Sequence, residues 1–200
     1  MNHNETLYRP WGTVTSEFWA RPQPLQQVVP VARTQTPNPP AALASVTPAD
    51  GTTEMPEKYR QGILKVTSAF SSKDPQVLYS AMVEAERLDQ AMTYEYGEHD
   101  LRTISLREMR GWLAHLTGQH EAASRWYLQT VGLLTAVVGT SDERTRASAK
   151  RAVATWLAIA DEAVAQRLAP TVLAIAVQVE GGGSASAMAV RRRAYVGANA

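Results

Sequence analysis

From Met55 onward, apolar residues return every three or four positions and nowhere alternate for long, which is the period of helices and not of strands. In "MPEKYRQGILKVTSAF" the residues Ile63, Leu64, Thr67 and Phe70 form one stripe, and Pro56 stands where a first helical turn tolerates a missing N–H. "DPQVLYSAMVEAERLDQAMTYEYG" opens with Asp74 as a cap and Pro75 at the first helical position. Val77, Leu78, Ala81, Met82, Ala85, Leu88 and Met92 then recur at helical spacing, and Gly97 reads as the stop. The pattern predicts helices over 56–71, 75–96, 100–117, 119–138, 142–159 and 161–179, with a short last helix at about 185–195. The fold class is all-α.

Residues 1–54 have the opposite texture. Eight of the eleven prolines precede Thr53, and proline removes a backbone donor and fixes φ, so a Pro-rich, largely disordered arm is expected there. Its aromatic cluster of Tyr8, Trp11, Phe18 and Trp19 leaves two readings open: incidental aromatics on a tail, or a short motif that orders on a partner or on the body. The body is read as residues 55–180. Residues 181–200, entered through "EGGGSASA", are read as a Gly-rich linker with a short C-terminal helix.

The body contains an echo of itself. "GEHDLRT" (97–103) and "GTSDERT" (139–145) share Gly, Asp, Arg and Thr at an offset of 42 (139 − 97). The tripeptide "WLA" recurs at 112 and 156, an offset of 44, and Glu121-Ala122 and Thr130-Val131 return 41 residues later at Glu162-Ala163 and Thr171-Val172. Matches that keep their order point to an internal repeat of two helices, with Asp100 and Asp142 capping the first helix of each unit. Each helix pair then leaves an apolar face that the next pair buries. "LAHLTGQHEAASRWYLQTV", followed by "VVGTSDERTRASAKRAVATWLAI", resembles tetratricopeptide repeats of the kinesin-light-chain-like, actinobacterial type, over roughly Leu78 to Val179. The resemblance implies a right-handed superhelical stack of antiparallel helix pairs. It places Gly118 at the turn between paired helices, Ala123 at their crossing and Tyr127 as the large aromatic one turn later. The sequence departs from that pattern at Arg110, where leucine is usual, at the last unit, which lacks the turn glycine, and at Pro170, expected to kink or restart a helix.

Composition narrows the chemistry. With 20 basic and 19 acidic side chains there is no global field to attract nucleic acid or anionic lipid, and the absence of cysteine excludes disulfides and thiolate metal sites. The expectation is a cytoplasmic protein, since no apolar run approaches membrane length and the N-terminus lacks the pattern of a secretory signal. His3, His99, His115 and His120 fall at no metal-ligand spacing, neither a Gly-x-Ser-x-Gly elbow nor a P-loop occurs, and Glu84 and Glu86 lie two apart on a helix and point different ways. No enzyme, cofactor or metal is expected. Trp112 and Trp156 are expected in the core. First helices line the inner wall of such stacks, so Arg107, Arg110, Arg144, Lys150 and Arg151 are read as a basic groove for an acidic peptide or terminal carboxylate. Glu108 and Glu143 are placed off that face. The alternative reading is a nucleic-acid-associated regulator that uses the same wall and the Arg191–Arg193 cluster.

Overall fold

The computed structural model describes the backbone of residues 55–197 and side chains through Ala194; the expectations for the arm and its aromatic cluster lie outside these residues. Among the described residues there are seven α-helices and no strand: α1 (Glu57–Ser68), extended by a 3-10 turn (Ala69–Ser71), α2 (Pro75–Tyr96), α3 (Leu101–Leu116), α4 (His120–Val138), α5 (Glu143–Leu157), α6 (Glu162–Glu180) and α7 (Ala185–Gly197). The starts of α2, α3, α5 and α6 are written in a capping aspartate. Asp74 accepts from Gln76 N at 2.8 Å, Asp100 from Arg102 N at 2.9 Å, Asp142 from Arg144 N at 2.9 Å and Asp161 from Val164 N at 3.1 Å. Each satisfies one of the donors that a helix start leaves without an internal partner.

The even-numbered helices end on glycines. Gly97, Gly139 and Gly181 follow α2, α4 and α6 with φ of 83°, 88° and 91°, a region that side chains with a Cβ avoid. They are evenly spaced, with 139 − 97 = 181 − 139 = 42. Three residues after each glycine comes a cap, Asp100, Asp142 and then Ser184, whose hydroxyl accepts from Ala187 N at 3.2 Å. The caps of the even helices α4 and α6, Gln119 and Asp161, keep the same interval. The unit is therefore a constant 42 residues from Gly97 to Ser184, and the offsets of 44 and 41 suggested by sequence matching are not structural equivalences. Trp112 lies twelve residues after its cap and Trp156 fourteen, and two residues turn a helix by about 200°. The two tryptophans face different ways.

Two further expectations change. Pro170 lies inside a continuous α6, on its exposed side, where the carbonyl that loses its donor can turn to water. The segment 181–184 is the third copy of the repeat's turn, and α7 belongs to the body: Ala187 and Val190 are fully buried against α5 and α6.

Among the described residues consecutive helices pack on one another, as short connections require, and α4 also meets α6 and α5 meets α7. The core is correspondingly serial. One cluster joins α1, α2 and the α3 residues Leu106, Met109 and Leu113; another joins Trp156 of α5 to Val164, Leu168 and Val172 of α6 and to α7; Val131, Ala149 and Val179 link α4, α5 and α6. Gly118 makes the α3–α4 turn with φ 75°. The two helices then approach closely: a Cβ on Gly111 would meet Trp126 Cβ and the Tyr127 ring at 3.2 Å. Ala123 and Tyr127 are fully buried, as a close crossing demands.

Candidate functional site

Arg107 and Arg110 do not open onto a groove. Three residues apart on α3, they point together toward α2, where Asp89 interrupts the buried stripe of Ala85, Leu88 and Met92. Arg107 Nε donates to Asp89 Oδ1 at 3.0 Å, and Arg110 Nη1 donates to Oδ2 at 2.5 Å. A second Arg107 nitrogen donates to Thr93 Oγ1 at 3.1 Å, and that hydroxyl is within 3.2 Å of Asp89. Glu98 and Glu86 stand further out, each 3.8 Å from Arg107 and Arg110 respectively, and the Arg110 guanidinium lies 4.2 Å from the centre of the Trp126 ring. This is an internal fastener of α2, α3 and α4. The signal that could have found it was Asp89 itself, a carboxylate in register with an apolar stripe.

A second regularity ties the odd-numbered helices together. Of the ninth residues after each cap, Met109, Arg151 and Arg193, the two arginines reach back to the preceding odd helix or its end. Met109 joins the cluster that contains α1. Arg151 pairs with Glu108 at 3.3 Å, so Glu108 does answer the basic row, contrary to the expectation from sequence. Burial pushes the Glu108 carboxyl up and Arg151 opposes that shift. Arg193 donates to the carbonyls of Trp156 at 2.8 Å and Ile159 at 2.6 Å, pairs with Glu162 at 3.0 Å, and lies over the Trp156 ring. Arg191 donates to the Gly182 carbonyl. The C-terminal arginine cluster thus spends Arg193 on holding α7 against α5 and α6, and Arg191 on the turn that leads into α7. Of the remaining groove residues, Arg144 pairs with its own cap Asp142 at 3.2 Å, and Lys150 is exposed on α5.

A third group, outside the basic row, lies at the α3–α4 turn. The rings of Trp112 and His115 are 5.2 Å apart, as are those of His115 and His120. Trp112 Nε1 and the Nδ1 atoms of both histidines are buried with no hydrogen-bond partner. Burial, with a smaller contribution from His120, brings His115 down to about 4, and burial also lowers His120. The fold therefore favours neutral imidazoles. Stability from this source is full above the ordinary value of 6.5 and is lost as pH falls toward 4. The melting temperature should fall across that window, and more steeply for the parent chain than for His115→Gln. Equal slopes in the two proteins would assign the acid sensitivity to carboxylates alone.

Among the described residues no helix is long and apolar enough to cross a membrane, and no group of three or more His, Cys, Asp or Glu is placed to hold a metal. No protein-family model matches the chain, and neither a curated protein nor a solved structure matches it.

Proposed function

We propose that the chain is a non-catalytic helical-repeat scaffold, a tetratricopeptide-like right-handed stack, that binds a protein or peptide along the row of odd-numbered helices. The observation that carries this reading is the constant unit of 42 residues, in which a glycine turn, a cap and a reach-back residue recur in register. Stacked hairpins of this kind expose one row of helices as an extended surface, and such surfaces are used for binding. On α5 that surface carries Ala147, Lys150 and Ala154, all at least partly exposed. With Arg107 and Arg110 engaged by Asp89 and Arg151 by Glu108, a preference for acidic ligands rests on Lys150 and Arg144.

A photo-crosslinking residue in place of Lys150, compared with one in place of the exposed Tyr94 on α2, tests the reading in the full chain. A discrete protein should be captured from position 150 and not from position 94. Equal capture at both positions would remove the odd-helix surface as the binding face. Recovery of nuclease-sensitive, salt-sensitive material alone would replace it with the nucleic-acid reading.

A further inference from the structure

The outer side of α2 is written unlike that of α4. Tyr79 to Gln90 and Val83 to Tyr94 are both eleven residues, close to three helical turns, so these four residues form one straight stripe. Tyr79 and Val83 are each more than half exposed, Tyr94 is 95% exposed, and Gln90 is exposed beside them. The exposed side of α4 carries Arg125, Gly132 and Ala136 instead. Tyrosines bring a large, stiff apolar face with a polar tip, and they gather where two proteins touch. The charges of α2 leave the stripe itself clear. Asp89 is buried against the arginines of α3, Glu95 pairs with Lys58, and Glu84 pairs with Arg87 on the side that meets Gly62 of α1. Of the charged residues of α2, only Glu86 and Arg87 border the stripe. Consecutive in the chain, they lie about 50° to either side of its centre, at nearly the same level along the axis. Arg87 holds Glu84 through Nε and Nη2, Glu86 is 3.8 Å from Arg110, and both side chains remain at least partly exposed.

We propose that this stripe joins two copies of the chain, their α2 helices side by side and parallel about a two-fold axis. The bordering charges select both the occupant and the direction. In a parallel pair opposite borders of the stripe meet at one level, so Glu86 of each copy faces Arg87 of the other, as unlike charges do beside a coiled-coil seam. In the antiparallel pair that lays the stripe on itself, like borders meet, which sets Arg87 beside Arg87 and Glu86 beside Glu86. Parallel pairing also brings identical residues together: Tyr79 on Tyr79, Val83 on Val83, Tyr94 on Tyr94, and Gln90 on Gln90, whose amides can donate to one another. From Tyr79 to Tyr94 the contact runs about 23 Å along the helix, less than a stable interface needs, so the dimer is weak and reversible. It uses the even-helix side and leaves the odd-numbered row to a partner. A crosslinking residue at position 94 then joins two copies of the chain and captures no other protein.

Sedimentation of the full chain at concentrations up to about 1 mM should show a monomer–dimer equilibrium. Arg87→Glu puts carboxylates on both borders of the stripe and Glu86→Arg puts guanidinium groups on both, so each variant should associate with itself about tenfold less. Mixed in equal amounts, the two variants should associate with each other, because both borders again join unlike charges. The chain has no cysteine, so single substitutions can report the direction. Under mild oxidation Val83→Cys and Gln90→Cys should each form a disulfide between two chains. Val77→Cys, exposed on the same helix but about 120° from Val83, should not. These cysteine variants leave Glu86 and Arg87 in place and keep the test decisive if a charge variant fails to fold. A chain that stays monomeric throughout, or a disulfide that forms as readily from Val77→Cys as from Val83→Cys, would overturn the assignment. So would a disulfide that requires Val83→Cys mixed with Gln90→Cys, undiminished self-association of both charge variants, or capture of a different protein from position 94.

Discussion

Asp89→Ala should destabilise the chain by about 3–5 kcal/mol, because it removes the buried carboxylate that two buried guanidinium groups share. Arg107 is fully buried and Arg110 is 9% exposed, and Asp89 is the carboxylate that both touch directly. Glu86 and Glu98 are 3.8 Å from the guanidinium groups and partly exposed, too far and too wet to take over. The denaturant midpoint should fall with little change in the slope. The same reasoning separates removal of one partner from removal of all three. Asp89→Leu with Arg107→Met and Arg110→Leu takes away the charges along with the cost of burying them, and should be far less damaging than Asp89→Ala alone. Arg110→Glu, which reads on sequence as a surface charge reversal, would set a carboxylate against Asp89 and should prevent folding. A loss below about 1 kcal/mol for Asp89→Ala would show that the outer glutamates do the fastening.

The helices were legible because each is bounded by local chemistry. Asp74, Asp100, Asp142 and Asp161 act as caps, and Gly97 and Gly139 as stops, where a single residue type meets a local backbone need. The repeat was legible in part for the same reason: its true period is carried by turn glycines and caps, which tolerate little substitution. Helix faces are set by burial, and many apolar residues serve there. This is why "WLA" and Thr-Val recurred at intervals that the structure does not honour, and why the third copy, with Ser184 in place of aspartate, was read as a linker.

The basic groove was misread for a different physical reason. Helical periodicity says which arginines point together, but not what stands opposite them on another helix. Arg107 and Arg110 do share a face, as their spacing implies, and that face meets Asp89, 18 and 21 residues earlier in the chain. Arg151 meets Glu108 at a separation of 43. Such pairings leave no trace beside the arginines themselves; for the first of them the one sign is Asp89, a carboxylate set in an apolar stripe on another helix.

The two copies of "WLA" give the sharpest test of the repeat, since they are identical in sequence and differ in their places. Trp156 is fully buried between α5, α6 and α7, and its indole donates to the Ala165 carbonyl at 2.8 Å. Trp156→Ala should therefore cost about 3–5 kcal/mol, through lost transfer energy and a cavity that three helices cannot close. It should also release the arginine that stacks on the ring and holds α7, so that the C-terminal helix loses protection from hydrogen exchange. The Phe variants isolate the donor. Trp156→Phe gives up a satisfied hydrogen bond, whereas Trp112→Phe removes a buried N–H that has no acceptor among the described residues. The first should therefore be the more destabilising by about 1 kcal/mol. Equal losses in the two Phe variants would mean that the indole N–H of Trp112 is satisfied as well as that of Trp156, and that the difference in their hydrogen bonding carries no energetic weight.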